Sequence, residues 1–380
     1  LKIHSLLDDP QAVLISRTPV SDPVTWDDYR RAAWQVMSAL EVELEGEKAV
    51  LKPNVTSGEN FGDPDSGVTT HPAFVQGMIE YLQAHGARTP PIPMGSDART
   101  HSDARTPPIL MGSGARRKGS YILEDPRNHD DNEPRHWRGT GYPEVAEATG
   151  AALRTPTTYT CVKKAVPHPL AFSTLNVSRL AVSPDTALIN VPKLKTHNLG
   201  ITTLCMKNLM GTVNVFDRHF CGQAWREMPD EVRGNPRPRR EWLSRALHEQ
   251  WQEGLARRLA DTAQVVRARL NVVEGVVGRE GTGFHQGRNY PLGLAVAGIN
   301  PVAVDSVASY LIGFDPQELI YLRVAAGAGL GANDLSALRV YEVQDGAILP
   351  CRDLASLRAD PPFRVVSNIQ GEPEWEPCAS

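Results

Sequence analysis

The run ALINVP at residues 187–192 is apolar without a break and is bounded by turn-forming residues. A strand with no polar face has to be covered on both sides, as strands inside a parallel sheet are. The upstream order of elements points the same way. AVLIS at 12–16 is a short apolar strand, and Thr25 with Asp28 opens a helix on which Ala32, Ala33, Val36, Met37 and Leu40 recur at helical spacing. KAVLK at 48–52 is a second strand stopped by Pro53, and Thr70 is placed to cap a helix over 71–85 that stops at Gly86. Strand, helix, strand, helix predicts an α/β fold with a mainly parallel sheet and crossover helices.

Downstream, a helix is expected over 142–153, extended chain near 157–166 and 170–182, and one long or two consecutive helices from Arg240 to Arg267. LNVVEGVVG and GLAVAG read as strands, PVAVDSVASYLIG and PQELIYLRVAAGAG as helices, and RVYEV at 339–343 as the last strand. The expectation is a single α/β domain over 1–380 with its core at about 10–345 and an irregular tail at 346–380. Residues 87–140 break the pattern and leave a division into two lobes open. There, ARTPPIPMGSDAR at 87–99 and ARTPPILMGSGAR at 104–116 are tandem near-copies whose paired prolines suit no central strand. The segment reads either as a duplicated polar insertion or as a substrate lid.

A net charge of -4 with pI near 6.3 gives no bulk attraction to nucleic acid or to an anionic membrane, so any cationic site must be local. No apolar run reaches membrane-spanning length and no secretory pattern opens the chain, which begins at Leu1, so a cytoplasmic location is expected. Five scattered cysteines without a C-x-x-C suggest neither a disulfide framework nor a cysteine-ligated cluster, and Cys205 and Cys221 read as thiols of the interior.

The local cationic site follows ALINVP directly. Ligands of parallel sheets bind beyond the carboxyl ends of the strands. Lys193, Lys195 and His197 lie there, and Thr202 or Thr203 is placed to cap a short helix, TLCMKNLM, carrying Lys207 and Asn208 and closed by Gly211. Asp217, Arg218 and His219 follow one loop later. The same edge receives Lys52 and Asn54 from the preceding strand, with Glu59, Asp63 and Asp65 as possible counter-charges. So many cations would repel one another unless an anion joined them. Lys207, flanked by Met206, Leu209 and Met210, reads as a packed lysine or as a nucleophile or cofactor anchor. Asp305 reads as a first-turn acid on its helix or as a carboxylate facing the lysines. The glycine-rich turn at 278–287 has neither Walker nor dinucleotide spacing.

KPN at 52–54, TTHP at 69–72, NVPKLKTH, MKNLMG, the DRH end and NPVAVDSVA together resemble the prokaryotic domain of unknown function 362 family over about residues 45–335. Many members carry a ferredoxin-like cysteine segment, which is absent here, so no iron–sulfur cofactor of that type is expected. Glu274 stands where that pattern has Asp. A weaker resemblance links the block to the nickel-dependent lactate racemase group, in which a lysine carries a nickel pincer cofactor. That resemblance implies His197 as the first histidine, Lys207 as the cofactor lysine, Gly211 as the turn glycine and His219 as the metal histidine. The serine-glycine-glycine run before the lysine is TLCM here.

The expected function is an enzyme, of isomerase or oxidoreductase class, acting on a small anionic carboxylate- or phosphate-bearing metabolite. Lys52, Lys193, Lys195, Asn208 and Arg218 would hold the anion. His197, Lys207 and His219 would carry the chemistry, with Asn54, Asp217 and Asp305 in support. A divalent metal or nickel-type cofactor on His197 and His219 would assist proton or hydride transfer. The alternatives are a metal- or cofactor-binding redox protein without turnover and a binding module for an acidic partner.

Overall fold

The structure is a computed structural model that describes residues 1–55, 66–85, 119–284 and 286–371. The first half runs β1 (Ala12–Arg17), α1 (Trp26–Ala39), β2 (Lys48–Pro53), α2 (Pro72–Ala84), β3 (Ser120–Leu123), α3 (Tyr142–Thr149) and β4 (Ala152–Arg154). A separate hairpin, β5 (Cys161–Ala165) with β6 (Thr174–Ser178), and the single turn α4 (Arg179–Val182) lead into β7 (Thr186–Val191). After it come β8 (Lys193–His197), β9 (Ile201–Thr203), the one-turn α5 (Cys205–Asn208), α6 (Phe220–Arg226), α7 (Asp230–Arg233), α8 (Arg239–Trp242) and the long α9 (Arg245–Val265). The chain ends with β10 (Leu270–Arg279), β11 (Asn289–Gly298), α10 (Pro301–Leu311), α11 (Ile320–Gly327), β12 (Arg339–Gln344) and β13 (Ala347–Pro350).

One sheet takes the order β13-β12-β1-β11-β10-β7-β2-β3-β4, with β8 beside β10 and β9 beside β8. From β10 to β4 every pairing in that order is parallel, and β11 is antiparallel to both β1 and β10. The α/β expectation with a mainly parallel sheet and crossover helices holds. Side chains alternate between two covered faces, as the two-residue period requires. Leu14, Ala49, Leu51 and Ile189 pack with α1 and α2 residues on one face. Val13, Ile15 and Val273 meet α10 on the other, where Val50 and Leu188 join the cluster that includes α9 and α11 residues. Fully burying each such aliphatic contributes about 1.5–3 kcal/mol.

Several local expectations are corrected. His71, not Thr70, caps α2: its Nδ1 accepts the Ala73 N–H, while the Thr70 hydroxyl donates to Val191 O at 2.7 Å. Within the stretch read as insertion, the described part carries the sheet strand β3 and the fully buried Trp137. Both near-copies, and Gly86 with them, lie outside the described residues. The tail is not wholly irregular, since β13 pairs with β12 and Phe363 is buried against the third core cluster. Among the described residues no helix is long and apolar enough to cross a membrane.

Candidate functional site

Pro192 separates β7 from β8, and the two strands face different neighbours. β2 follows β7 as far as Pro53 opposite Val191, whereas β8 continues along β10. The sheet therefore parts at the carboxyl end of β2, and a cleft of about 120 Å³ opens there. A space of that size suits a small ligand. Its walls come from the end of β2, the loop after β3, Lys195 of β8, α5 with the turn after it, and Arg218. Lys52, Asn54, Lys195, Lys207, Asn208 and Arg218 all line it, as the sequence placed them on one edge.

Most of the positive charge is already balanced from within. Lys52 is fully buried and donates to Glu124 Oε2 at 2.6 Å, to Pro53 O at 2.7 Å and to Asn208 Oδ1 at 3.3 Å. Lys193 donates to Glu274 Oε2 at 2.7 Å, both side chains being wholly inaccessible. Burial lowers both lysine pKa values despite the carboxylates. Arg218 donates through Nη2 to Asp125 Oδ2 at 2.8 Å and to Asn128 Oδ1 at 2.6 Å. Its Nη1 is buried with no hydrogen-bond partner among the described residues. A guanidinium N–H left so is costly, and an anion in the cleft is the kind of acceptor that would satisfy it.

Lys195 differs from its neighbours. It is 1 % exposed, its ammonium donates to Val68 O at 2.7 Å and lies 4.6 Å from the Phe284 ring centre, and no carboxylate among the described residues bonds to it. The cause is a register shift. β8 advances two residues, from Lys193 to Lys195, while β10 advances from Glu274 to Arg279, so Lys195 stands opposite an arginine instead of an acid. Burial first, then Lys207, Arg279 and Lys193, hold the Lys195 pKa well below the ordinary lysine value. His197 is held well below its usual value by burial and then by Lys207 and Lys195. Its Nδ1 accepts from the Leu199 and Gly200 N–H groups at 3.0 and 3.1 Å, so the neutral ring carries its proton on Nε2.

The helix bearing Lys207 is positioned from afar. Thr202 and Thr203 lie in β9 and cap nothing; instead Asp305, fully buried on α10, accepts the Cys205 and Met206 N–H groups at 2.7 and 3.0 Å. Asp305 is thus neither a first-turn acid nor a partner of the lysines, and the N–H groups expected to add to the positive field are taken. Burial pushes its carboxyl up to about 7 against these donors. Asn208 donates to Lys52 O and Asn190 Oδ1 at 2.8 Å each, locking α5 to β2 and β7. Gly211 leaves room for Lys52, since a Cβ there would meet its Nζ at 2.7 Å and Glu124 at 2.9 Å.

Besides Lys193 and Asp305, the expected members His197, His219 and Asp217 do not line the cleft. His219 is exposed at the start of α6 and does not line the cleft, with Arg218 and Arg226 its charged neighbours that lower its pKa after burial. Asp217 accepts from Asn176 on β6 at 2.7 Å. The nickel-group resemblance implies His219 as the metal histidine, and His219 does not line the cleft that Lys207 lines. Glu59, Asp63 and Asp65 lie outside the described residues. Sequence reasoning missed Glu124, Asp125 and Asn128, which sit in the stretch read as insertion. An acid pair directly after an apolar segment, YILED, was the available signal.

The family described as Domain of unknown function (DUF362) matches residues 49–310, against an expected 45–335. The chain is also similar to the "Thylakoid-associated protein sll1697" of Synechocystis sp. (strain ATCC 27184 / PCC 6803 / Kazusa), 27% identical over 167 residues. That stretch is 44% of this chain and 44% of the relative, so the chain spans less than half of the relative's length. No solved structure matches it. With well over half of its residues inside the family match, the chain belongs to the DUF362 family.

Proposed function

We propose that the chain is an enzyme that binds a small carboxylate or phosphate in the cleft at the end of β2 and moves a proton on it. The observation that carries this reading is Lys195, a buried amine without a carboxylate partner among the described residues, beside Lys207 and Arg279. A cation so placed gives up its proton more readily than an ordinary lysine, and a neutral amine is a competent base. Lys207 and the free Nη1 of Arg218 supply charge to the anion, while His197, which does not line the cleft, keeps a neutral ring under the influence of Lys207 and Lys195. Lys52 and Lys193 organise the site through Glu124 and Glu274.

Calorimetric titration with inorganic phosphate and with small 2-hydroxy carboxylates tests the binding. Run in buffers of different ionisation enthalpy, it should show proton uptake on binding, because the anion favours the charged form of Lys195. Lys207→Ala should weaken binding by about 10–100-fold, the loss of one charge-assisted contact of about 1.5–3 kcal/mol. In D2O, proton NMR should show exchange at the carbon next to a bound carboxylate, abolished in Lys195→Met. Absence of binding throughout, or exchange and affinity unchanged in both variants, overturns the proposal.

A further inference from the structure

On the loop after β3, and apart from the residues that line the cleft, ring nitrogens of His129 and His136 and a carboxylate oxygen of Asp131 all lie within 4.8 Å of one another. The two rings stack with centroids 4.0 Å apart. His136 is 7 % exposed, and its buried Nε2 makes an ion-pair contact with Asp131 Oδ1 at 2.8 Å that falls short of a well-aligned hydrogen bond. A ring nitrogen and a carboxylate oxygen 2.8 Å apart also have the spacing of two ligands on one ion. Adjacent donors at about 2.1 Å from a metal stand about 3 Å apart when the angle between them is near 90°.

The neighbours of these three residues are occupied in shaping the loop. Asp130 accepts from the Thr158 N–H and hydroxyl at 2.6 and 2.7 Å, and Asn132 Oδ1 accepts from Thr155 N at 2.9 Å. Asp125 Oδ1 accepts from Arg127 N and His129 N at 3.2 Å each. Asp131 Oδ1 itself accepts from the Glu133 N–H at 2.9 Å, so the loop backbone is set by these side chains and Asp131 together, with the His, Asp, His donors close to one another.

We propose that His129, Asp131 and His136 bind one divalent first-row transition-metal ion of the Zn2+, Co2+ or Ni2+ class. Two imidazoles with one carboxylate favour these ions over Mg2+ and Ca2+, which prefer oxygen cages. Three protein donors leave a coordination position for water. The ion ties down the loop whose Asp125 and Asn128 hold Arg218, so it also steadies one wall of the cleft.

The test uses tag-free full-length protein, stripped with EDTA and titrated with Zn2+ by calorimetry and with Co2+ by visible absorption. One equivalent should bind at micromolar affinity or tighter. His129→Ala, whose ring is exposed and whose folding is checked by circular dichroism, should weaken it tenfold or more, and so should Asp131→Asn. Lys207→Ala should leave metal binding unchanged, which separates this site from the cleft. Failure of the parent protein to bind Zn2+, or equal binding by the His129→Ala/Asp131→Asn double variant, overturns the proposal.

Discussion

Replacing Glu274 with Gln removes the charge that balances Lys193 and keeps the shape. Glu274 Oε2 accepts from Lys193 at 2.7 Å and from His71 N at 3.2 Å, and Oε1 accepts from Val276 N at 2.9 Å, all in the interior. An orphaned buried charge costs about 3–5 kcal/mol. A ceiling follows independently, because discharging an ordinary lysine of pKa about 10.4 at pH 7 costs about 4.6 kcal/mol. Expected, then, is a loss of about 3–5 kcal/mol in urea unfolding at pH 7. In Glu274→Gln the folded pKa of Lys193 falls further below the unfolded one, so the unfolded chain binds more protons and stability recovers as pH rises. At pH 9 the same ceiling is about 1.9 kcal/mol. Lys193→Met alone should cost about 3–4 kcal/mol, and Lys193→Met/Glu274→Gln should cost less than the sum of the two by about 3 kcal/mol. Single losses below about 1 kcal/mol, or strict additivity, would refute the internal neutralisation of the site.

Two other perturbations probe the same neighbourhood. His197 is held neutral in the fold, with its pKa below the usual 6.5, so its share of stability is complete above about pH 6.5 and is lost as pH falls. Urea unfolding should show about 1 kcal/mol lost between pH 6.5 and 5.5 that is missing in His197→Asn, which retains an acceptor for the turn; identical slopes would contradict the assignment. Gly211→Ala should cost about 1–3 kcal/mol by crowding Lys52 against Glu124 and should weaken phosphate binding in the same titration, and a variant with parental stability and affinity would show that the pair has slack.

The parallel sheet was legible because ALINVP carries its burial in its composition, and the Thr25 and Asp28 capping box because both partners lie within one turn. Lys52 and Lys195 were legible from strand ends, and Lys207, Asn208 and Arg218 from the short helix and the loop that follow; all five line the cleft. What stayed hidden was pairing. Lys193 and Lys195 look equivalent in KLKTH, yet the shift along β10 gives the first an acid and the second an arginine. Glu124 lies 72 residues from Lys52 and Asp305 lies 100 from Cys205, so no local pattern announces either. His219 was placed by its spacing in a motif, which says nothing of where a helix start will face.

The first strand, β1, is sandwiched between β11 and β12, both supplied near the other end of the chain. β11 begins at Asn289, so at about 5–20 residues per second a ribosome takes roughly a quarter of a minute to a minute to deliver the first neighbour. Until then Ala12–Ile15 has sticky margins on both sides and nothing to zip to. Synthesis of this protein thus depends on keeping that strip from associating with other nascent chains while the rest of the sheet is made.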